Sequence, residues 1–122
     1  MGVKGTHLLL PTMTIQPSTL FLARLTGWGH QDGTAKVRVH VALATEGEYI
    51  YVAPGSSQQG QRTHQVVVKR DQENNLIKDT AFVLNLNDCR WVHTSEALRT
   101  TGRVNDQTFS AMWDEVEAQA AA

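Results

Sequence analysis

The chain has one cysteine, three prolines and a formal net charge of only −1 over 122 residues. Each scarcity excludes something. A single thiol, Cys89, cannot close an internal disulfide, so the sequence points to a reducing, cytoplasmic setting in which Cys89 is a small buried residue. No apolar run nears the roughly 20 residues that a membrane helix needs. Leu8-Leu9-Leu10 is also too short for a signal-peptide core, which takes about 7–15 apolar residues. Near-zero net charge speaks against avid nonspecific DNA binding but leaves an RNA substrate open. The five histidines, at positions 7, 30, 40, 64 and 93, are scattered. No Cys-x-x-Cys or His-Glu-x-x-His spacing occurs, so neither a metal nor another cofactor is expected. A glycine-rich phosphate loop and a Gly-x-Ser-x-Gly elbow are missing too, which leaves most familiar enzyme chemistries unsupported.

What is present is an ordinary globular composition, 41% hydrophobic and 19% charged, of a length that suits one domain. Residues 1–13 read as an N-terminal extension broken by Gly2, Gly5 and Pro11, and residues 14–122 as a single domain. Strands are expected over 18–25, 36–44, 49–53, 64–69 and 80–86, with a last short one beginning at Arg90. In KVRVHVALA (36–44) Val37, Val39, Val41 and Leu43 alternate with Lys36, Arg38, His40 and Ala42, which predicts one core face and one wet face. Glu46-Gly47-Glu48 turns this strand into a hairpin with the next. A short helix is expected over Thr94–Arg99, with Thr94 or Ser95 as its cap and Gly102 as its end. A second helix starts at the cap residue Asn105 and carries the stripe Phe109, Met112, Trp113 and Val116. Strands at this spacing followed by a terminal helix suggest a small β-barrel. Its expected core is Val37, Val39, Val41, Leu43, Ile50, Val52, Val67, Phe82 and Leu84, closed by Phe109 and Trp113.

The chemistry-bearing residues gather around VAPGSSQ (52–58). Arg38 lies near the start of one hairpin strand and Ser56 just past the end of its partner, so an antiparallel register brings them to one edge of the sheet. A guanidinium beside a hydroxyl suits a phosphodiester, because its fork matches phosphate oxygens and its charge is permanent. His40, two residues from Arg38, and His64, at the start of the strand after the serine loop, are candidate proton carriers. Trp28, in the glycine-rich loop 26–35, either packs over the end of the barrel or stacks a base. On pattern alone Arg38 and His40 are also an ordinary solvated face, and Ser56-Ser57 ordinary turn residues.

The order of pieces resembles the MazF/PemK-like toxin family over roughly residues 18–119. KVRVHVALA stands for the family's Arg-Pro strand, with Arg38-Val39 in place of Arg-Pro. VAPGSSQ stands for a strand ending before Thr-Ser-Gln, with Ser56 in place of threonine. NLIKDT stands for the Gly-Leu-x-Lys-Asp/Pro-Ser/Thr stretch, and TGRV for the Gly-Arg-Leu that precedes the last helix. His30-Gln31 takes the place of the usual Glu-Gln of the first loop, and Gln16-Pro17-Ser18 that of the family's Arg-Gly-Asp/Glu opening. The resemblance implies an SH3-like barrel, usually a homodimer, that cleaves single-stranded RNA at selected sequences without metal. In that chemistry the substrate's 2′-hydroxyl attacks the adjacent phosphorus, and a cognate antitoxin blocks the groove. By motif position Arg38 and Ser56 would be catalytic, and Trp28, His30, Gln31, Ser57 and Gln58 would contact RNA. The other readings are a degenerate barrel that binds RNA or a protein partner without cleavage, and a structural domain with no nucleic-acid role.

Overall fold

The computed structural model describes residues 14–25, 36–56 and 63–121. Seven strands and one α-helix follow in order: β1 (Thr19–Arg24), β2 (Val37–Glu46), β3 (Tyr49–Ser56), β4 (Gln65–Val68), β5 (Thr80–Val83), β6 (Arg90–His93), β7 (Ala97–Arg103) and α1 (Asp106–Ala120). The sheet order is β4-β5-β3-β2-β1-β7, with β6 also paired to β3, and every ladder is antiparallel. The β2–β3 hairpin turns at Gly47, as expected. Among the described residues no ladder joins β4 to β7, so the expected closed barrel is here an open sheet.

Period-two alternation on β1, β2 and β3 sorts side chains into two cores rather than one core and one wet face. Leu20, Val41, Leu43, Ala53, Phe82 and Leu84 pack with Met112 and Val116 of α1. Phe21, Ala23, Ala42, Ile50 and Val52 form a second cluster on the opposite face. The face of β2 expected to be wet is therefore buried at His40 and Ala42. The stripe of α1 faces the first cluster as predicted, and burying side chains such as Met112 and Val116 contributes roughly 1.5–3 kcal/mol each. Leu43 is an extra residue in β2, because the register slips between Ala42 and Ala44. Such a bulge disturbs the ladder, and the Trp113 indole N–H donates to the Leu43 carbonyl at 3.0 Å.

Other sequence expectations need correction. Val37 and Val67, placed in the core, are 43% and 40% exposed: Val37 is the first residue of β2 and lines the cleft at the strand's end, and Val67 alternates with Val66 and Val68, which take the inward positions of β4. The helix expected over Thr94–Arg99 is a single 3-10 turn, Thr94–Glu96, followed by β7. Its cap is His93, whose ring nitrogen accepts from the Ser95 N–H at 3.0 Å. Pairing with β1 holds Ala97–Arg103 extended, tertiary context overriding helix propensity. Asn105 does cap α1, accepting from the Thr108 N–H at 2.8 Å.

The loop between β4 and β5 is built around Asn74, which is 2% exposed. Its Oδ1 accepts from the N–H groups of Asp71 (2.9 Å) and Leu76 (3.0 Å), and its Nδ2 donates to the Lys69 carbonyl at 2.8 Å. This folded loop rests on β7. Asn75 Nδ2 donates to the Thr101 carbonyl at 2.8 Å, and the Arg103 N–H donates to the Glu73 carbonyl at 3.3 Å. The contact requires a glycine beneath it, since a Cβ on Gly102 would lie 2.7 Å from the Asn74 Cα and closer still to the Glu73 carbonyl. Backbone cannot yield there as a flexible side chain would. Gly102→Ala is therefore expected to lower the unfolding free energy by about 1–3 kcal/mol. Urea denaturation checks this: the midpoint should fall while the slope is unchanged.

Candidate functional site: a cationic cleft around Arg38

The last two residues of β3 leave β2 and pair with β5, Gly55 opposite Phe82 and Ser56 opposite Ala81. Gly55 makes the crossing possible. A Cβ there would stand 2.8 Å from Thr80 Cγ2 and 2.9 Å from the Val39 carbonyl oxygen. With no side chain at that point, β2, β3 and β5 converge, and Arg38 and Ser56 line one recess of about 310 Å³ together with Lys36, Lys78 and Thr80. The hairpin argument from sequence put Arg38 and Ser56 at one edge of the sheet, and both line this recess.

A second recess of about 260 Å³ shares Arg38, Lys78 and Thr80 with the first. Its far side is β7, with Arg99 and Thr101, and its near wall is the folded loop at Asn75, Leu76 and Ile77. The loop wall is pinned by its own hydrogen bonds. Arg70 donates from Nη1 to the Ile77 carbonyl at 3.0 Å, and the Arg70 N–H donates to Asp79 Oδ1 at 2.9 Å. The Thr80 hydroxyl donates to the Lys78 carbonyl, also at 3.0 Å. Among the described residues the lining of the two recesses includes Lys36, Arg38, Lys78 and Arg99 and no carboxylate. A chain of net charge −1 has therefore gathered cations in one cleft. Their mutual repulsion raises the local potential, and a bound anion relieves it.

Arg38 is half-buried at the junction of the two recesses. Its Nε–H is buried with no acceptor among the described residues, and Thr101 Oγ1 is likewise buried without a partner.

The two histidines proposed as proton carriers are placed elsewhere. His40 is fully buried and stacks on Phe21, with ring centroids 5.5 Å apart and planes at 23°. Burial is the main cause that lowers its pKa to about 4; a backbone hydrogen bond with Arg38 opposes this, and the charges of Arg90 and Arg38 add to it. It is a neutral core residue at neutral pH. His64 sits beside α1, its Nδ1 3.5 Å from Glu115 Oε1, and lines neither recess. Cys89 is buried as expected, and burial pushes its thiol up to about 12, far from a reactive thiolate. Among the described residues no three His, Cys, Asp or Glu side chains come together in a way that could hold a metal ion. No helix among them is long and apolar enough to cross a membrane. Trp28, His30, Gln31, Ser57 and Gln58, the expected RNA contacts, lie outside the described residues, as do residues 1–13.

Sequence reasoning missed Lys36, Lys78, Thr80, Asn75, Arg99 and Thr101 as cleft residues. Lys78 and Thr80 stand in NLIKDT, which was noticed as a family motif rather than as a cationic wall. Arg99 and Thr101 were assigned to a short helix and its end, which hid the sidedness of a strand.

No family model matches the chain, and no curated protein matches it in sequence. Solved structures do match in shape. The Mycobacterium tuberculosis toxin MazF-mt6 aligns with a TM-score of 0.64 at 17% identity, over 84% of this chain and 96% of that one. Chains of the Deinococcus radiodurans MazE–MazF complex align with a TM-score of 0.62 at 9% identity, covering 91% of this chain and 98% of that one in one crystal form and 90% and 98% in another. The chain has the fold of MazF toxins.

His40 makes stability depend on pH. Its folded pKa of about 4 lies below the unfolded value of 6.5, so the stabilising contribution is complete above pH 6.5 and is lost as pH falls toward 4. The expected loss is up to about 3 kcal/mol. Urea titrations at pH 7 and pH 4 check it, and His40→Gln should remove most of the difference between them.

Proposed function

We propose that the protein is an endoribonuclease toxin of the MazF type, cleaving single-stranded RNA in the cleft around Arg38. The observation that carries this reading is the recess in which Arg38 and Ser56 meet, lined with further cations and no carboxylate among the described residues. That combination fits a phosphodiester. The Arg38 fork would bind the non-bridging oxygens of the scissile phosphate, and the Ser56 hydroxyl would add a hydrogen bond. Attack by the adjacent 2′-oxygen raises the negative charge on those oxygens, so both groups hold the transition state more strongly than the substrate. The new bond runs from the 2′-oxygen to phosphorus and the bond to the 5′-oxygen breaks, leaving a 2′,3′-cyclic phosphate and a 5′-hydroxyl. The 2′-hydroxyl gives up one proton and the 5′-oxygen takes one. Because His40 is buried and His64 lines neither recess, this reading assigns both transfers to water. Lys36 and Lys78 would attract the flanking phosphates, with a salt-dependent contribution to affinity.

The rest of the reading follows the structural relatives. Two of them are MazE–MazF complexes, which supports a cognate antitoxin as protein partner. A homodimer with its groove across two subunits and action in the cytoplasm complete the proposal. One observation favours a second reading, a degenerate domain of this fold that binds RNA or a protein without cutting: the described lining of the Arg38 recess contains no histidine or carboxylate to move a proton.

Alanine variants decide between the two. Arg38→Ala and Ser56→Ala are each expected to slow RNA cleavage by about a hundredfold to a thousandfold while keeping a native circular dichroism spectrum. Arg38→Lys should restore little, because an ammonium lacks the planar fork. Full activity in folded Arg38→Ala and Ser56→Ala would remove the catalytic assignment. RNA binding by a wild type that does not cleave would establish the second reading.

A further inference from the structure

We infer that His40, buried behind the cleft and out of reach of any substrate, is a positioning residue that holds Arg38 in place for the reaction. The inference rests on the nuclease reading for what Arg38 does. The hold that His40 has on Arg38 rests on separate observations.

The sheet itself holds Arg38 on one side only. The ladder between β2 and β3 begins at His40 opposite Pro54, because Gly55 and Ser56 have already left for β5. Val37, Arg38 and Val39 pair with Arg24, Ala23 and Leu22 of β1, and among the described residues no strand pairs with them on the other side. A strand end laddered on one side opens more readily than one laddered on both. The crossing that brings Ser56 to Arg38 is thus also the feature that leaves the Arg38 backbone short of support.

His40 stands where that support can be supplied. It is the first residue of β2 laddered on both sides, opposite Phe21 and Pro54, and it is fully buried. Its ring is anchored by stacking on Phe21, which belongs to the second apolar cluster and is itself paired with Thr100 of β7. Residues two apart on a strand share a face, and the His40 ring hydrogen-bonds the backbone of Arg38. The Arg38 side chain leaves this tether half-buried, with its Nε sealed from solvent. The residue type fits the task. The charges of Arg38 and Arg90 both act on the ring, so a cationic donor at this point would be repelled. Phenylalanine would fill the space and stack but offer no polar atom. A neutral imidazole has both the ring and an N–H.

The test uses the full chain and two readouts. In the first, kcat and KM for cleavage of one single-stranded RNA are measured for the wild type, His40→Phe, His40→Gln and Val116→Ala. His40→Phe should lower kcat by about a hundredfold, the effect of a catalytic group displaced by an ångström or so. KM should change little, because Lys36 and Lys78 remain in the cleft lining. His40→Gln keeps an N–H donor and should recover most of the rate. Val116→Ala loosens the first apolar cluster and should lower the melting temperature with kcat unchanged. If His40→Phe does not fold, His40→Leu takes its place. In the second readout, the Arg38 Nε–H resonance, identified by its loss in Arg38→Ala, is followed by NMR. It should shift and exchange faster with solvent in His40→Phe and stay near its wild-type position in His40→Gln. Wild-type kcat and an unmoved resonance in folded His40→Phe overturn the positioning role and leave the nuclease reading intact. An equal loss of rate in His40→Phe, His40→Gln and Val116→Ala also overturns it, since a looser core then accounts for the loss. A resonance that moves as expected in a protein that cuts no RNA supports the hold on Arg38 and removes the nuclease reading.

Discussion

The cleft depends on an approach of backbone to backbone that one missing Cβ permits. At Gly102 the loop between β4 and β5 lies directly on β7, with the Glu73 carbonyl and the Asn74 backbone in the space a side chain would need. The hub at Asn74 gives the loop one shape, and the seat on β7 gives it one position. Together they raise a wall opposite the start of β2. Without that wall Arg38 would be a strand-edge arginine in open water, where its charge is screened and its ordering against a ligand costs side-chain entropy. With it, Arg38 stands between two recesses, one shared with Ser56 and one with Thr101. Gly55 performs the same service on the other side, letting β5 come close enough to bring Thr80 and Ser56 together.

The charge distribution follows from this geometry rather than from composition. Lys36, Arg38, Lys78 and Arg99 come from three separate stretches of chain and meet only because β1 pairs with both β2 and β7, and β5 pairs with the end of β3. The whole chain is close to neutral, yet the cleft is not. A patch of this kind steers a polyanion without making the protein a general binder of nucleic acid. Both faces of β1, β2 and β3 are covered, which leaves the strand ends, not the strand faces, to carry chemistry.

How much of this was legible in the sequence can be traced residue by residue. The β2–β3 hairpin, the Asn105 cap and the α1 stripe rest on short-range patterns, and local rules read them correctly. Arg38 and Ser56 were paired by hairpin geometry, which is also local. His40 was misplaced because alternation tells which residues share a face, not whether a second layer covers it. β7 was read as a helix because Ala97, Leu98 and Arg99 favour one, and the pairing with β1 that overrides them spans some eighty residues of sequence. Arg99 and Thr101 were lost with it. The closed barrel was inferred from strand spacing, which carries no information about whether the last strand meets the first. Gly102 was noticed only as the end of a helix, because a close approach to Glu73 and Asn74 leaves no local trace.

The central claim is that this cleft holds a phosphodiester for attack by its own 2′-hydroxyl, and the ends of the products report on that most directly. The full chain is incubated with a long single-stranded RNA in the presence of a chelator, and the ends are mapped. The account predicts cuts at a restricted set of sequences, each leaving a 2′,3′-cyclic phosphate and a 5′-hydroxyl. Intact RNA after incubation with folded protein, or products carrying 5′-phosphates, would contradict it.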